Sequence, residues 1–211
     1  MNVFVLCTGR CGSTTFYEAC KHITNFSTGH ETRAHLIGTE RLQYPAQHIE
    51  ADNRLAWMLG RLEQAYGDDA VYVHLQRNRL ATARSFTERY ERKSIIKAYR
   101  EGILLRYPAD SDPLATSLDC CETIDSNIAA FLKGKTRQMQ FSLENASVDF
   151  PRFWKLIGAT GDYSAALAEW STPHNSAASR ARRVLQSRGE PRFPARAFQR
   201  LRRIIGLGKA A

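Results

Sequence analysis

The chain has 211 residues, with 30 Lys and Arg against 21 Asp and Glu, which gives a net charge of +9. Residues 180–211 hold ten of these basic residues and one acidic residue, so residues 1–179 are electrically balanced. A uniformly basic nucleic-acid-binding domain therefore does not describe this chain, and no nucleic-acid partner is expected. The length predicts one α/β domain over residues 1–179, followed by an Arg-rich tail over residues 180–211.

The cysteines and the apolar runs indicate a cellular setting. The five cysteines are Cys7, Cys11, Cys20, Cys120 and Cys121. An odd number without a C-x-x-C spacing argues against both a disulfide framework and a zinc site. No apolar run approaches the roughly 20 residues of a membrane span, and the first is too short for a signal peptide. A cytoplasmic protein is the expectation.

Residues 2–16 predict a strand, a glycine loop and the start of a helix. Residues 3–6 form a short unbroken apolar run, which is typical of a strand buried on both faces of a parallel sheet. The small polar stretch that follows contains Gly9 and Gly12, and Ser13 is a candidate cap for the next helix. This arrangement grips phosphate, because loop N–H groups and the helix dipole both favour an anion.

The loop differs from that of ATP-binding proteins, in which a lysine directly follows the last glycine. Here Ser13 follows Gly12, and Arg10 is the cation. Residues 10–14 (RCGST) resemble the loop of the sulfotransferase family, which transfers a sulfuryl group from 3′-phosphoadenosine 5′-phosphosulfate (PAPS) and releases 3′-phosphoadenosine 5′-phosphate (PAP). The resemblance implies a three-layer α/β fold with a parallel central sheet, and chemistry that needs no metal. A P-loop kinase or NTPase is the alternative enzyme.

The resemblance also implies roles for the loop residues. The residues expected to hold the 5′-phosphosulfate are Arg10, Cys11, Gly12, Ser13, Thr14 and Thr15. Backbone N–H groups of residues 11–15 and the hydroxyls of Ser13 and Thr14 would bind the 5′-phosphate. Arg10 would stabilise the charge that builds on the bridging oxygen as PAP leaves.

Residues 24–36 form a polar connection that we predict to be a loop at the carboxyl edge of the sheet, where ligands bind. Transfer to a hydroxyl needs a base within hydrogen-bond reach of the acceptor. In several carbohydrate sulfotransferases a glutamate about twenty residues after the loop cation has this role. Glu31, twenty-one residues after Arg10, matches it, and His30 is the second candidate. A carbohydrate hydroxyl is therefore the expected acceptor.

Residues 47–66 show apolar residues at helical spacing, and Asp52 with Asn53 supplies a start signal, so we predict a helix there. His48, Glu50 and Asp52 would lie at its entry. Helix capping and salt bridges are the roles expected of them, and contact with the acceptor is the alternative.

A second buried strand is predicted over residues 70–75, and Arg77 follows it directly. The sulfotransferase resemblance extends here, because family members place an Arg at a strand end and a Ser eight residues later, and both bind the 3′-phosphate of PAPS. Arg77 and Ser85 stand at that spacing. Arg79 occupies a position where many members have proline, and it would add a further cation near the phosphate.

The remaining chain is predicted to be mostly helical over residues 86–135, with a strand over 137–143 and an aromatic core helix around residues 150–157. Residues 195–205 predict a basic amphipathic helix. It would lie on an anionic membrane surface, bind a polyanionic partner, or pack on the domain. A non-catalytic nucleotide or polyanion binder that uses this tail is the alternative from a different functional class.

Overall fold

The computed structural model describes residues 1–92, 94–105, 107–108, 110–172 and 174. The predicted domain boundary at residue 179 and the predicted tail helix over residues 195–205 lie outside the described residues. Both stay predictions. The described part up to residue 172 belongs to one compact unit.

Among the described residues, five parallel strands form one sheet in the order β2-β3-β1-β4-β5. The strands are β1 (Val3–Cys7), β2 (Ser27–His30), β3 (His48–Ala51), β4 (Val71–Gln76) and β5 (Gln138–Ser142). The predicted strands over residues 3–6, 70–75 and 137–143 are confirmed as β1, β4 and β5. The predicted α/β class with a parallel central sheet is confirmed as well.

The helices are α1 (Ser13–Cys20), α2 (Leu59–Tyr66), α3 (Arg79–Thr87), α4 (Ile95–Ala98), α5 (Pro113–Leu132), α6 (Ala146–Leu156) and α7 (Tyr163–Ala168). Short 3₁₀ turns lie at Gly38–Leu42, Asn53–Trp57, Leu143–Asn145 and Glu169–Ser171, and a π-helical turn lies at Tyr99–Ile103. The largely helical character predicted for residues 86–135 is confirmed by α4 and α5.

Two apolar cores cover the two faces of the sheet, because alternate residues of β1 point to opposite sides. Val3 and Val5 belong to the core that contains apolar residues of α1, α6 and α7. Phe4 and Leu6 belong to the core that contains apolar residues of α2, α3, α4 and α5. The predicted aromatic core helix is confirmed as α6. The three-layer architecture follows from these two cores.

Two parts of the prediction are wrong. The connection over residues 24–36 contains β2, and the helix predicted over residues 47–66 begins only at α2, because β3 and a 3₁₀ turn precede it. The strands escaped detection because each has four residues and a polar composition. In β3, Ile49 and Ala51 alternate with His48 and Glu50, whose polar groups are satisfied by bonds to β2 and the loop after it.

The chain takes opposite directions after β1 and after β4. β1 and β4 are neighbours, with Cys7 paired to Leu75. α1 leaves β1 toward one face of the sheet, while α3 leaves β4 toward the other. Loops that diverge in this way mark a topological switch point, where ligands of open parallel sheets bind. The two predicted anion-binding motifs both begin at this point.

Within the described residues, every helix is too short or too polar to cross a lipid bilayer.

Candidate active site

The loop between β1 and α1, residues 8–12, is called the phosphate loop below. Three of its residues have positive φ angles, with 82° at Gly9, 59° at Arg10 and 99° at Gly12. A methyl group at Gly9 would lie 2.6 Å from Nδ2 of Asn53, and one at Gly12 would lie 2.7 Å from Cδ1 of Leu143. Glycine is favoured at both positions, because a larger residue would be strained at these φ angles and would displace the neighbouring side chain.

The phosphate loop leads directly into α1. Gly12 occupies the cap position, and no side chain of a described residue caps the helix there. The prediction that Ser13 caps α1 is wrong, because Ser13 is the first helical residue. Its Oγ instead lies 3.2 Å from Nε2 of His30. The first-turn N–H groups of a helix without a side-chain cap suit an anion. Thr14 and Thr15 lie half-buried in the same turn.

The two predicted anion-binding motifs meet in space. Nε of Arg10 donates a hydrogen bond to Oγ of Ser85 at 3.0 Å, across 75 residues of sequence. Nη1 of Arg77 donates to the carbonyl oxygen of Arg10 at 3.2 Å. The cation of the phosphate loop and the Arg–Ser pair after β4 therefore form one constellation at the switch point. Their roles toward PAPS stay predictions.

The turn after β4, which follows Arg77, is held by two hydrogen bonds of Asn78. The side chain of Asn78 caps α3 by accepting from the N–H of Ala81 at 3.0 Å, and the N–H of Asn78 donates to Glu144 at 2.8 Å. Partial desolvation of Glu144 opposes its charged form, but the hydrogen bond from Asn78 is among the interactions that leave its pKa below the usual range. Arg79, predicted to add a cation for the phosphate, forms an ion pair with Glu122 instead.

The two candidate bases follow each other at the end of β2. His30 contacts the first turn of α1 through Ser13. Glu31 has a φ angle of 55°, and its N–H donates to the carbonyl of Ala51 at 3.1 Å. The Glu31 side chain is 35% exposed, and its Oε2 lies 2.8 Å from Nη1 of Arg54. A non-glycine residue in the left-handed region costs about 1–2 kcal/mol, and such strain clusters at functional sites.

The other polar residues of this region are buried. His48 bridges Ser27 and Glu50, with distances of 2.9 Å on each side. Both carboxylate oxygens of Glu50 also accept from Thr32 at 2.7 Å, one from its N–H and one from its hydroxyl. His48 is 6% exposed and Glu50 is fully buried. Bonds within the domain therefore describe both residues, and the alternative of contact with an acceptor does not.

Asp52 is also fully buried. One carboxylate oxygen accepts from the N–H of Arg54 at 2.8 Å, and the other accepts from Nη2 of Arg41 at 2.5 Å. Burial raises the pKa of Asp52, although the N–H of Arg54 and the Arg41 guanidinium both favour the charged form. The expected roles of capping and a salt bridge are confirmed for this residue.

Cys11 places its side chain in the interior, where it is fully buried. A hydrogen bond with Cys7 and an interaction with the backbone of Gly9 lower the pKa of Cys11, against the opposing effect of burial. The Cys7 partner has its pKa raised by the same hydrogen bond and by burial. A ligand at the switch point would therefore meet the backbone of Cys11 rather than its thiol.

Four residues of the site were not predicted as functional: Asn53, Arg54, Leu143 and Glu144. The first two follow β3, and the last two follow β5, so all four lie at the carboxyl edge of the sheet. If residues 48–51 had been recognised as a strand, Arg54 would have been placed at the carboxyl edge of the sheet, where ligands bind. Among the described residues, no group of three or more His, Cys, Asp or Glu side chains is arranged to hold a metal ion.

Comparisons with known proteins support the fold. The sequence matches no protein-family model and no curated protein sequence. The structure is similar to the crystal structure of mouse sulfotransferase SULT7A1 complexed with PAP, with a TM-score of 0.53 and 13% sequence identity. The match covers 85% of this chain and 66% of that chain, so this chain spans about two thirds of the length of that protein. The chain has the sulfotransferase fold, as its sequence predicted.

Proposed function

We propose that this protein is a sulfotransferase that moves a sulfuryl group from PAPS to an acceptor hydroxyl. The proposal depends on two contacts between the motifs. Nε of Arg10 lies 3.0 Å from Oγ of Ser85, and Nη1 of Arg77 lies 3.2 Å from the Arg10 carbonyl oxygen. A ligand with phosphate groups on the 3′ and 5′ positions of one ribose needs two anion sites close together. The likeness to a sulfotransferase crystallised with PAP supports the same reading.

The donor would bind across the switch point. The N–H groups of residues 11–15 and the hydroxyls of Ser13 and Thr14 would hold the 5′-phosphate at the start of α1. Arg77 and Ser85 would hold the 3′-phosphate, because a guanidinium offers parallel N–H groups to two phosphate oxygens and the hydroxyl adds a further donor. The positive φ angles at Gly9 and Gly12 suit this role, since they let the backbone approach the ligand closely.

The transfer would be a single in-line displacement. The acceptor oxygen forms a bond to sulfur while the bond from sulfur to the bridging phosphate oxygen breaks, and PAP leaves with the electron pair. Glu31 takes the proton of the acceptor hydroxyl. Arg10 stabilises the negative charge on the bridging oxygen. His30, held at Ser13, is the second candidate for the proton transfer.

The acceptor is proposed to be a carbohydrate hydroxyl, on the ground that a glutamate base shortly after the phosphate loop occurs in carbohydrate sulfotransferases. Glu31 lies at the end of β2 with about a third of its side chain exposed, so an acceptor can reach its carboxylate. Transfer of labelled sulfuryl from PAPS to a panel of carbohydrates, phenols and peptides identifies the acceptor class. Absence of transfer to every member of the panel would reject the proposed reaction.

The donor site is tested by a thermal-shift comparison of PAP with ATP and Mg²⁺. PAP is expected to raise the melting temperature by several degrees more than ATP, because ATP has no 3′-phosphate for Arg77 and Ser85. A larger shift with ATP and Mg²⁺ would favour a kinase or NTPase instead.

Single substitutions test whether PAP binds at Arg77 and Ser85. Arg77→Ala and Ser85→Ala should each reduce the shift produced by PAP. Arg79→Ala is the matched control, because Arg79 lies two residues from Arg77 but pairs with Glu122. A polyanion binder that uses the Arg-rich tail would show the same PAP shift in Arg77→Ala as in the unaltered protein.

A further inference from the structure

The segment Asp52–Arg54 connects the candidate base to the phosphate loop. It follows β3, and its three residues contact three different parts of the site. Asp52 pairs with the buried Arg41, Asn53 packs on Gly9 of the phosphate loop, and Arg54 pairs with Glu31 at 2.8 Å.

The inner end of this connection is rigid. Arg41 and Asp52 are both fully buried, and their side chains are 2.5 Å apart. A second bond of the Arg41 guanidinium reaches the hydroxyl of Tyr44 at 3.0 Å. Separating a buried charged pair costs several kcal/mol, so the Asp52 carboxylate is held at Arg41. The carboxylate of Asp52 then fixes the N–H of Arg54 at 2.8 Å.

The outer end is the ion pair of Arg54 and Glu31. Their side chains are 38% and 35% exposed, and ion pairs at such positions contribute only about 0–1 kcal/mol to stability. The nearby backbone is already held, because the N–H of Glu31 donates to Ala51 and both polar groups of Thr32 bond to Glu50. Arg54 therefore adds little to folding. What it determines is where the Glu31 carboxylate lies.

We infer that Asp52–Arg54 is a positioning element that holds the Glu31 carboxylate in register with the phosphate loop, and that Arg54 is its positioning residue. The inference rests on the proposed sulfuryl transfer and deepens it. Asp52–Arg54 ties both Glu31 and the phosphate loop to the buried Arg41–Asp52 pair. The distance between the acceptor oxygen and the donor sulfur would therefore stay constant. Displacement of a reacting group by about 1 Å costs up to about 100-fold in rate.

The principal test compares Arg54→Met with Arg61→Met. Arg61 is the matched control, because it is an exposed arginine on α2 whose guanidinium bonds the carbonyl of Gly38. Arg54→Met is expected to lower kcat about 10–100-fold in transfer to the best acceptor of the panel, with the KM for PAPS unchanged. Arg54→Lys should recover part of this loss, since it restores the charge without the planar fork. Unchanged kcat in Arg54→Met would overturn the inference.

A double-mutant cycle separates positioning from a general structural effect. Glu31→Gln should abolish most of the turnover, and adding Arg54→Met to it should cause no further loss, because Arg54 acts through Glu31. Additive losses in the double variant would overturn the inference.

A second readout is independent of turnover. In crystal structures, the Glu31 carboxylate should be displaced in Arg54→Met and should keep its position in Arg61→Met, because only Arg54 pairs with it. An unchanged carboxylate position in Arg54→Met would overturn the inference even in a protein without measurable transferase activity. Failure of the acceptor panel together with a displaced carboxylate would reject the proposed reaction and leave the positioning contact established.

Discussion

The two halves of the candidate site are built differently. The donor half consists of the phosphate loop with Arg77 and Ser85, and its side-chain contacts lie at partly exposed positions of two local motifs. The acceptor half consists of Glu31 and the segment Asp52–Arg54, and it is supported by the fully buried Arg41–Asp52 pair. The comparison predicts that changes to the charged and hydroxyl side chains of the donor half affect mainly binding and rate, whereas changes beneath the acceptor half affect folding first.

The largest effect on stability is expected for Asp52→Ala. The substitution leaves the Arg41 guanidinium buried without its carboxylate, and breaking a buried ion pair from one side costs about 3–5 kcal/mol. Urea denaturation measures the loss. Glu18→Ala is the control, because it breaks the more exposed pair with Lys21 and should cost no more than about 1 kcal/mol. A loss below about 1 kcal/mol in Asp52→Ala would show that the acceptor half does not depend on this pair.

Arg10→Gly tests the donor half, where a loss of turnover is expected without a loss of stability. It removes the cation while suiting the φ angle of 59°, so stability should be unchanged or higher by up to about 1 kcal/mol. Turnover should fall about 10²–10³-fold, because the bridging oxygen loses its charge partner. Melting temperature and sulfuryl transfer are measured on the same preparation. Normal turnover in this variant would reject the role assigned to Arg10.

Gly12→Ala is expected to have a smaller effect on stability, of about 1–3 kcal/mol, because a methyl group meets Leu143 at a φ angle of 99°. Leu143→Ala in the same chain should recover only the part caused by the clash. Gly60→Ala is the control, since Gly60 lies in α2 with open space around its Cβ position, and alanine favours a helix. Equal stability of Gly12→Ala and the unaltered protein would contradict the tight packing of the phosphate loop.

The smallest effect concerns Glu144, which supports the turn after β4. Its pKa is lowered in the folded protein, so its contribution to stability is complete above its unfolded pKa of about 4.3. That contribution is lost as the pH falls through the lower folded pKa. Melting temperatures of the unaltered protein and of Glu144→Gln should therefore differ slightly near neutral pH and converge in acid. A constant difference across this range would show that the Glu144 charge has no role.

The same comparison explains how much of the molecule the sequence predicts. β1, the phosphate loop and Arg77 after β4 were predictable, because an apolar run followed by glycines or an arginine is a local signal. β2 and β3 were not, because a four-residue strand such as His48–Ala51 carries two polar side chains whose partners lie elsewhere in the chain. Arg54 was missed for the same reason. Its importance depends on the strand before it and on Glu31 across the sheet edge.

The most direct test of the account is calorimetric binding of PAP and of adenosine 5′-monophosphate, which lacks the 3′-phosphate, to the unaltered protein and to Arg77→Ala. A charge-assisted hydrogen bond contributes about 1.5–3 kcal/mol, so PAP should bind the unaltered protein at least about tenfold more tightly than the monophosphate. In Arg77→Ala most of this preference should disappear. Equal affinities for the two nucleotides in the unaltered protein would contradict a site in which the two anion-binding motifs hold the 3′- and 5′-phosphates of one ribose.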